Sequence, residues 1–303
     1  MKKPIVSVQD MSVRFGDFYA VRDVSFDVMR GEIFGFLGAN GAGKTTTIRV
    51  LCGLLPATNG RVIIDGIEFI PAHTNDIKRR VGYMSQRFTL YNDLSVGENF
   101  DFAATLHWVP RAVYLARRDA LLDFIGWNRS LKTIVKDLPG GIKQEVALGV
   151  ALLHDPAIVF LDEPTAGVAP HARMRFWQLI RELARKGKTV FVSTHYMDEA
   201  ENCSRIALMR AGELIAIDSP ENLKRKTFGD TLYSLRARVA RPMMPIPDVV
   251  DIWQPYGANF HLRFRDGVHV ASHLKRLQRD WEITQIAPSL EDVFIKLVEG
   301  QNR

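Results

Sequence analysis

The sequence predicts an α/β protein with a mostly parallel sheet, and three unbroken apolar runs are the main reason. Such runs are typical of strands that are buried on both faces of a sheet. They lie at residues 33–37, 158–161 and 190–192. Helical patterns follow the first two runs at residues 46–51 and 172–185, as expected where strands alternate with helices. In an open parallel sheet the ligand crevice lies at the carboxyl ends of the strands, so the functional site is expected there.

Length and composition are those of an ordinary globular chain of about two domains. The 303 residues are 47% hydrophobic and 24% charged, and the net charge of +6 is too small and scattered to indicate nucleic acid or an anionic membrane. Cys52 and Cys203 lie in apolar or helical contexts, as expected for reduced packing residues of a cytosolic protein. The sequence shows no signal peptide and no apolar run of about 18 residues, so the chain is expected not to cross a membrane.

The first predicted domain, residues 1–228, also contains an antiparallel β subdomain and a helical insertion. Alternating apolar residues predict antiparallel strands near the N-terminus, whereas helical periodicity dominates from about residue 88 to residue 154. A hairpin-like pair of strands closes the domain. The additional predicted strands are residues 5–15, 21–28, 61–66, 81–84, 205–209 and 213–217.

The second predicted domain, residues 229–303, is a small α+β unit. Nothing in it suggests catalysis, so a regulatory or dimer-stabilising role rests on analogy alone. Its strands are expected at residues 231–239, 259–265 and 282–287, and its helices at residues 268–280 and 289–299. Four prolines are expected to break the segment between the first two strands, namely Pro242, Pro245, Pro247 and Pro255.

A glycine-rich turn joins the first apolar run to the helical pattern that follows it. From Gly38 to Thr45 it reads GANGAGKT, which matches G-x-x-x-x-G-K-[ST] at every fixed position. Glycine permits backbone angles that point N–H groups at an anion, and a helix N-terminus favours negative charge; the alternative is a turn without a ligand. Lys44 is expected to reach the β- and γ-phosphates of a nucleotide, and the Thr45 hydroxyl to ligate Mg²⁺. The predicted phosphate-binding residues are Asn40, Gly41, Ala42, Gly43, Lys44, Thr45 and Thr46.

Polar side chains follow the other buried strands. Asp162 is expected to hold Mg²⁺ and Glu163 to polarise an attacking water, although adjacent acids could instead cap a helix. His195 is suited to hydrogen-bond a γ-phosphate, whereas an isolated histidine is more often structural. Gln86 is a polar residue beyond the strand at residues 81–84. Phe15 either stacks on a purine ring or packs into the core.

Together these motifs resemble the nucleotide-binding subunit of an ABC transporter over about residues 4–225. The resemblance rests on the 38–45 loop, Gln86, a Gly-Gly stretch at 138–144, Leu161-Asp162-Glu163-Pro164 and His195. It implies a P-loop NTPase fold that binds ATP and Mg²⁺, with Gln86 at both the metal and the catalytic centre. It also implies that two such subunits sandwich ATP, so that the 38–45 loop of one faces Gly140 and Gly141 of the other.

The same resemblance implies a membrane-spanning permease subunit as a second partner. The helical insertion would contact it at the cytoplasmic side of the inner cell membrane. Residues 197–201, MDEAE, and residues 289–294, SLEDVF, resemble subunits that export drugs, polysaccharides or similar cargo. No nucleic-acid partner is expected. Two other classes stay open, which are a soluble ABC ATPase that acts on ribosomes or DNA and a regulatory ABC subunit that hydrolyses ATP weakly.

Two positions depart from the family pattern. Pro139 stands where the signature Leu-Ser-Gly-Gly has serine, which removes a hydroxyl that would hydrogen-bond the partner's γ-phosphate. Proline is compatible with a helix start, because its missing N–H would be unpaired there. Ala169 stands where the family usually has aspartate, a residue that helps to tie the two sites of the dimer together.

Overall fold

The computed structural model describes residues 3–86, 90–229 and 232–300. The chain divides into two compact units, Met1–Ser219 and Pro220–Arg303. This division precedes the boundary expected after residue 228, because the helix Pro220–Phe228 packs against the C-terminal helix of the second unit. The expected start of the helical insertion near residue 88 and the first residue of the strand expected at 231 lie outside the described residues.

The first unit holds strands β1 to β10 and helices α1 to α7 in its described residues. The strands are β1 Val6–Phe15, β2 Phe18–Val28, β3 Ile33–Leu37, β4 Asn59–Ile64, β5 Ile67–Glu68, β6 Val81–Met84, β7 Ile158–Asp162, β8 Thr189–Thr194, β9 Arg205–Arg210 and β10 Glu213–Asp218. The helices are α1 Lys44–Leu51, α2 Thr74–Arg80, α3 Val96–Leu106, α4 Arg111–Ile125, α5 Gly140–Leu152, α6 Pro170–Arg185 and α7 Met197–Ala200.

Six strands form the central sheet in the order β10-β9-β3-β8-β7-β6. All neighbours are parallel except β10 and β9, which form the expected closing hairpin. Every residue of β3, β7 and β8 is buried, which explains the apolar runs at residues 33–37, 158–161 and 190–192. The core contains a chain of aromatic rings with centroids 4.6–6.1 Å apart, formed by Phe26, Phe34, Phe36, Phe160 and Phe191. The mostly parallel α/β fold is confirmed.

A second, antiparallel sheet has the order β2-β1-β4-β5 and packs into the same core. Its alternating buried and exposed residues produce the pattern that predicted this subdomain. The helical insertion is also present, as helices α3, α4 and α5. Ser95 and Glu98 form a capping box that fixes the start of α3. Helix α5 packs against α4 and α6, so the insertion is tied to the helix that follows β7.

The second unit is an α+β fold with its own core, formed around Leu235, Leu262, Phe264, Leu277 and Trp281. Its sheet has the order β12-β13-β11-β14. The elements are α8 Pro220–Phe228, β11 Leu232–Ala237, β12 Val250–Tyr256, β13 Asn259–Phe264, α9 Val270–Leu277, β14 Trp281–Ile286 and α10 Leu290–Gly300.

Strand β12 corrects the sequence prediction, which expected prolines to break this whole segment. Pro255 lies within β12 and pairs with Phe260 of β13. Among the described residues β12 is an edge strand that pairs only with β13, and a residue without an N–H is tolerated in such a strand. Pro242, Pro245 and Pro247 do lie in the irregular segment before β12, as expected, so only Pro255 departs from the prediction.

Candidate active site

The phosphate loop lies between β3 and α1 with the backbone that its glycines require. Gly41 and Gly43 have φ angles of 80° and 102°, in the left-handed region. Gly43 is the N-cap of α1, and no side chain in the described part of the chain caps this end of the helix. Its first N–H groups are therefore available to an anion, which the helix dipole also favours. A side chain at Gly43 would collide with the chain, since a Cβ there would lie 2.7 Å from the Ala20 carbonyl oxygen.

Lys44 is buried and folds back over this loop. Its Nζ donates to the carbonyl oxygens of Gly38 and Ala39 at 2.9 and 3.1 Å. The same atom lies 3.6 Å from Glu163 Oε1. Burial lowers the pKa of Lys44, while the negative charge of Glu163 opposes that shift. A cation held in this way can exchange carbonyl oxygens for phosphate oxygens, which form stronger, charge-assisted hydrogen bonds.

Asp162 ends β7 with one carboxylate oxygen satisfied and the other unpaired. Its Oδ1 accepts hydrogen bonds from Ser193 Oγ at 2.6 Å and from Thr45 Oγ1 at 3.0 Å. Its Oδ2 is buried and has no hydrogen-bond partner among the described residues. Burial raises the pKa of Asp162, and the two hydroxyl donors oppose that shift. An unpaired buried oxygen is unfavourable unless something else binds it, so this arrangement suits a cation.

Glu163 occupies a strained backbone position and lies among several polar groups. Its φ angle of 48° is in the left-handed region, which non-glycine residues rarely adopt. Its backbone N–H donates to Ser193, with the nitrogen 2.9 Å from Oγ and 3.2 Å from the carbonyl oxygen. Its Oε2 accepts from Gln86 Nε2 at 2.9 Å, and His195 Nδ1 lies 3.4 Å from the same oxygen without hydrogen-bond geometry. Lys44, Gln86 and His195 thus converge on one carboxylate.

The alternative explanation of the two acids as helix caps does not hold for α6, the helix that follows them. That helix begins at Pro170, and its N-cap is Ala169. An aspartate at position 169 would therefore stand at the N-cap, where it could bond the first turn, a contact worth about 0.5–2 kcal/mol. Pro139 is likewise the N-cap of α5, one residue before the helix proper, rather than its first helical residue.

The remaining predicted site residues lie in three places. Asn40, Ala42 and Thr46 belong to the phosphate loop and the start of α1. Phe15 ends β1 and is 53% exposed, so it does not pack into the core, and purine stacking stays a prediction. Gly140 and Gly141 open α5 in the helical insertion. A Cβ at Gly141 would lie 2.5 Å from that of Ala172, so this glycine also permits close packing of α5 on α6.

Sequence reasoning missed four polar residues that hold the site together. Ser193 binds both Asp162 and the Glu163 backbone. Thr165, Thr194 and Glu199 form a buried cluster behind these residues, in which both threonine hydroxyls donate to Glu199. The hydroxyl-bearing residues after β7 and at the end of β8 were only a weak sequence signal of these contacts. The contacts of Ser193 with Asp162 and Glu163, and of Thr165 with Glu199, join residues 30 or more apart, which no local pattern shows.

The phosphate loop, the paired acids and the histidine at neighbouring strand ends define a nucleotide-binding protein of the P-loop class. Residues 21–166 match the ABC transporter family. The chain is 33% identical to the Nod factor export ATP-binding protein I of Ralstonia nicotianae, over 99% of this chain and 95% of that protein. It therefore belongs to the ATP-binding proteins of the ABC transporter family.

Two further comparisons agree with this assignment. The chain is 40% identical to the probable multidrug ABC transporter ATP-binding protein YbhF of Escherichia coli K12, over 75% of this chain but only 39% of that relative's length. The dimeric ATP-binding cassette MJ0796, solved in a post-hydrolysis state with ADP and Pi, has a TM-score of 0.64 and 26% identity. That likeness covers 71% of this chain and 98% of the cassette.

Proposed function

We propose that this chain binds and hydrolyses ATP to energise export through a separate membrane subunit. The observation that carries the proposal is the convergence of Lys44, Asp162, Glu163, Gln86 and His195 at the carboxyl ends of parallel strands. The export role is supported by relatives whose names refer to multidrug and Nod factor export. The cargo is not specified by any residue of this site.

The residues beside the phosphate loop fit Mg²⁺, which prefers oxygen ligands and retains several waters. Asp162 offers an unpaired buried oxygen, and Thr45 offers a hydroxyl beside it. Gln86 would add an amide oxygen. No group of three His, Cys, Asp or Glu in the described chain could hold a metal alone, which suits an ion shared with phosphate oxygens. When bound, Mg²⁺ would neutralise charge on the nucleotide phosphates.

For hydrolysis, Glu163 would act as the base that orients and activates a water. Its side chain is only 8% exposed, and its backbone is fixed by Ser193. Gln86 donates a hydrogen bond to this carboxylate, and His195 Nδ1 lies 3.4 Å from the same oxygen. His195 would hydrogen-bond the γ-phosphate, while Lys44 would bind the β- and γ-phosphates. The chain's contribution is therefore positioning and charge stabilisation, as phosphoryl transfer requires.

A groove between the end of α3 in the helical insertion and residues 52–83 suits a membrane partner. Its volume is about 530 Å³, and its lining includes Leu54, Leu106, Trp108, Lys78 and Arg79. Trp108 is 86% exposed and has a φ angle of 54°, an unfavourable backbone for a bulky residue. An exposed aromatic beside an apolar groove with two cations suits a short apolar and acidic segment of a partner.

None of the helices among the described residues is long and apolar enough to span a bilayer. We propose that recruitment to the cytoplasmic side of the inner membrane proceeds through this groove.

Trp108→Ala is expected to weaken capture of the chain by its membrane subunit at least about 30-fold, because a buried aromatic anchor contributes about 2 kcal/mol or more. Binding should be measured with detergent-solubilised membranes of the source cell, followed by identification of the chains that co-purify. Met244→Ala is the matched control, since Met244 is 55% exposed and belongs to the second unit. Wild-type capture should persist at high salt, because salt screens the contacts of Lys78 and Arg79 but not the docked apolar surface. Release by salt alone, or recovery with ribosomes, would contradict the proposal.

We further propose that two ATPase subunits pair, as in the dimeric cassette that this chain resembles. Each site would then combine the phosphate loop of one chain with the α5 N-terminus of the other. Pro139 would therefore act on the ATP held by the partner. Because the hydrolytic residues of this chain are complete, we favour a heterodimer whose partner carries a standard signature. A homodimer, weakly active at both sites, is the second candidate.

Pro139→Ser tests this pairing. In a homodimer the restored hydroxyl should raise turnover by about 10–100-fold, since a hydrogen bond to a charged group contributes about 1.5–3 kcal/mol. In a heterodimer the increase should be slight. Pro110→Ser is a matched control, because Pro110 is the N-cap of α4 with φ and ψ of −60° and 133°, close to −57° and 147° at Pro139. The assay is steady-state ATPase of the purified complex, and slower turnover in Pro139→Ser would contradict the role given to Pro139.

A further inference from the structure

A buried carboxylate outside the reacting groups joins the two loops that carry them. Glu199 lies in α7 and is only 2% exposed. Its Oε1 accepts from Thr165 Oγ1 at 2.6 Å, and its Oε2 accepts from Thr194 Oγ1 at 2.8 Å. Thr165 follows Glu163 by two residues, and Thr194 directly precedes His195. One carboxylate therefore binds one residue from each loop.

The surroundings of Glu199 include a cation and an aromatic ring close to the carboxylate. Arg173 from α6 places its Nε 3.3 Å from Glu199 Oε1, although without hydrogen-bond geometry. The Arg173 guanidinium lies 4.2 Å from the centre of the Tyr196 ring, which in turn lies 4.1 Å from the His195 ring. Arg173 thus lies over the Tyr196 ring, and the Tyr196 and His195 rings are in tilted contact. A cation close to a buried carboxylate offsets the unfavourable loss of hydration.

This arrangement also reaches the backbone of the histidine loop. The Tyr196 N–H donates to Thr194 Oγ1 at 3.0 Å, so one hydroxyl both donates to Glu199 and holds the turn after His195. Asn202 binds the Glu199 carbonyl oxygen, and Arg181 binds Asn202. Glu199 is therefore anchored at its backbone as well as at its side chain. Because its backbone and its side chain are both fixed, Glu199 can keep the two segments that it binds in place.

We infer that Glu199 is a positioning residue for hydrolysis, whose hydrogen bonds to Thr165 and Thr194 hold Glu163 and His195 at the separation that the reaction needs. The inference rests on the proposed function of those two residues. Glu199 is buried and acts through Thr165 and Thr194, so it should affect turnover more than ATP binding. Misplacement of reacting groups by about 1 Å can lower rates by about 100-fold.

The experiment compares Glu199→Gln, His195→Ala and the double variant in the complex purified with its partners. Glutamine keeps the size of the side chain but removes one acceptor and the charge. Glu199→Gln is expected to lower kcat about 10–100-fold while the Kd for ATP stays near the parental value. In the His195→Ala background the same change should have a smaller effect, because only Glu163 is then left for Glu199 to position. Asp198→Asn is the matched control, since Asp198 is the 75% exposed neighbour that lies 3.9 Å from the same Arg173.

Three results would overturn the inference. These are a parental kcat in Glu199→Gln, a loss that multiplies with that of His195→Ala, or a parallel loss of ATP binding. Thr194→Val is a second variant of similar size, which removes one of the two hydroxyl donors and should reproduce part of the kcat loss. If His195→Ala lowers kcat and Glu199→Gln does not, the inference alone fails. If His195→Ala itself turns over ATP at the parental rate, the role proposed for His195 fails as well.

Discussion

Glu163→Gln is expected to lower ATP turnover by about 10²–10⁴-fold, the usual contribution of a positioned general base. Glutamine has nearly the same shape, and its amide oxygen can still accept from Gln86 Nε2. It cannot take a proton from water, however, so the step that Glu163 supports should slow. ATP binding should remain, because Lys44 and the α1 N-terminus are unchanged.

The measurement is single-turnover hydrolysis beside equilibrium binding of ATP with Mg²⁺. Glu182→Gln is the control, because it removes a carboxylate that is 45% exposed and paired with Lys186 on α6. Both variants should melt close to the parental temperature. Parental turnover in Glu163→Gln would show that another group activates the water, whereas lost ATP binding would mean that Glu163 mainly holds Lys44.

Lys44→Ala is expected to weaken ATP binding by about 10²–10⁴-fold, corresponding to two charge-assisted hydrogen bonds of about 1.5–3 kcal/mol each. In the structure Nζ already makes two hydrogen bonds, to the Gly38 and Ala39 carbonyl oxygens, and phosphate oxygens would replace them. Removal of the side chain need not destabilise the free protein strongly. Burial of the Lys44 charge is itself unfavourable, as its lowered pKa indicates.

Isothermal titration with ATP and Mg²⁺ measures this loss directly. The control is Lys186→Ala, which removes an exposed cation whose Nζ lies 2.8 Å from Glu182 Oε1. An unchanged melting temperature in the absence of nucleotide would show that Lys44→Ala folds. Parental affinity for ATP in that folded variant would contradict the assignment of Lys44 as a phosphate ligand.

The pattern around Lys44 could be predicted well because it is local. Strand, glycine turn and helix follow one another within about 20 residues, and the glycine angles observed at Gly41 and Gly43 are those the motif requires. Pro255 shows the opposite case. The missing N–H of Pro255 is evident from the sequence. It breaks a strand, however, only where a neighbouring strand would need that N–H as a hydrogen-bond donor. Only the sheet order shows that β12 is an edge.

The sequence by itself determined the fold class, the phosphate loop and the acids and histidine at the strand ends, because hydrophobic period and turn chemistry act over short distances. Only the tertiary structure decided which of these groups meet. Ser193 and Asp162, or Thr165 and Glu199, are more than 30 residues apart in the chain and become partners because β7 and β8 are neighbours. Likewise, the unpaired Asp162 oxygen and the strained φ of Glu163 follow from packing around the strand ends. Such long-range pairings depend on strand order and register, which no short pattern encodes.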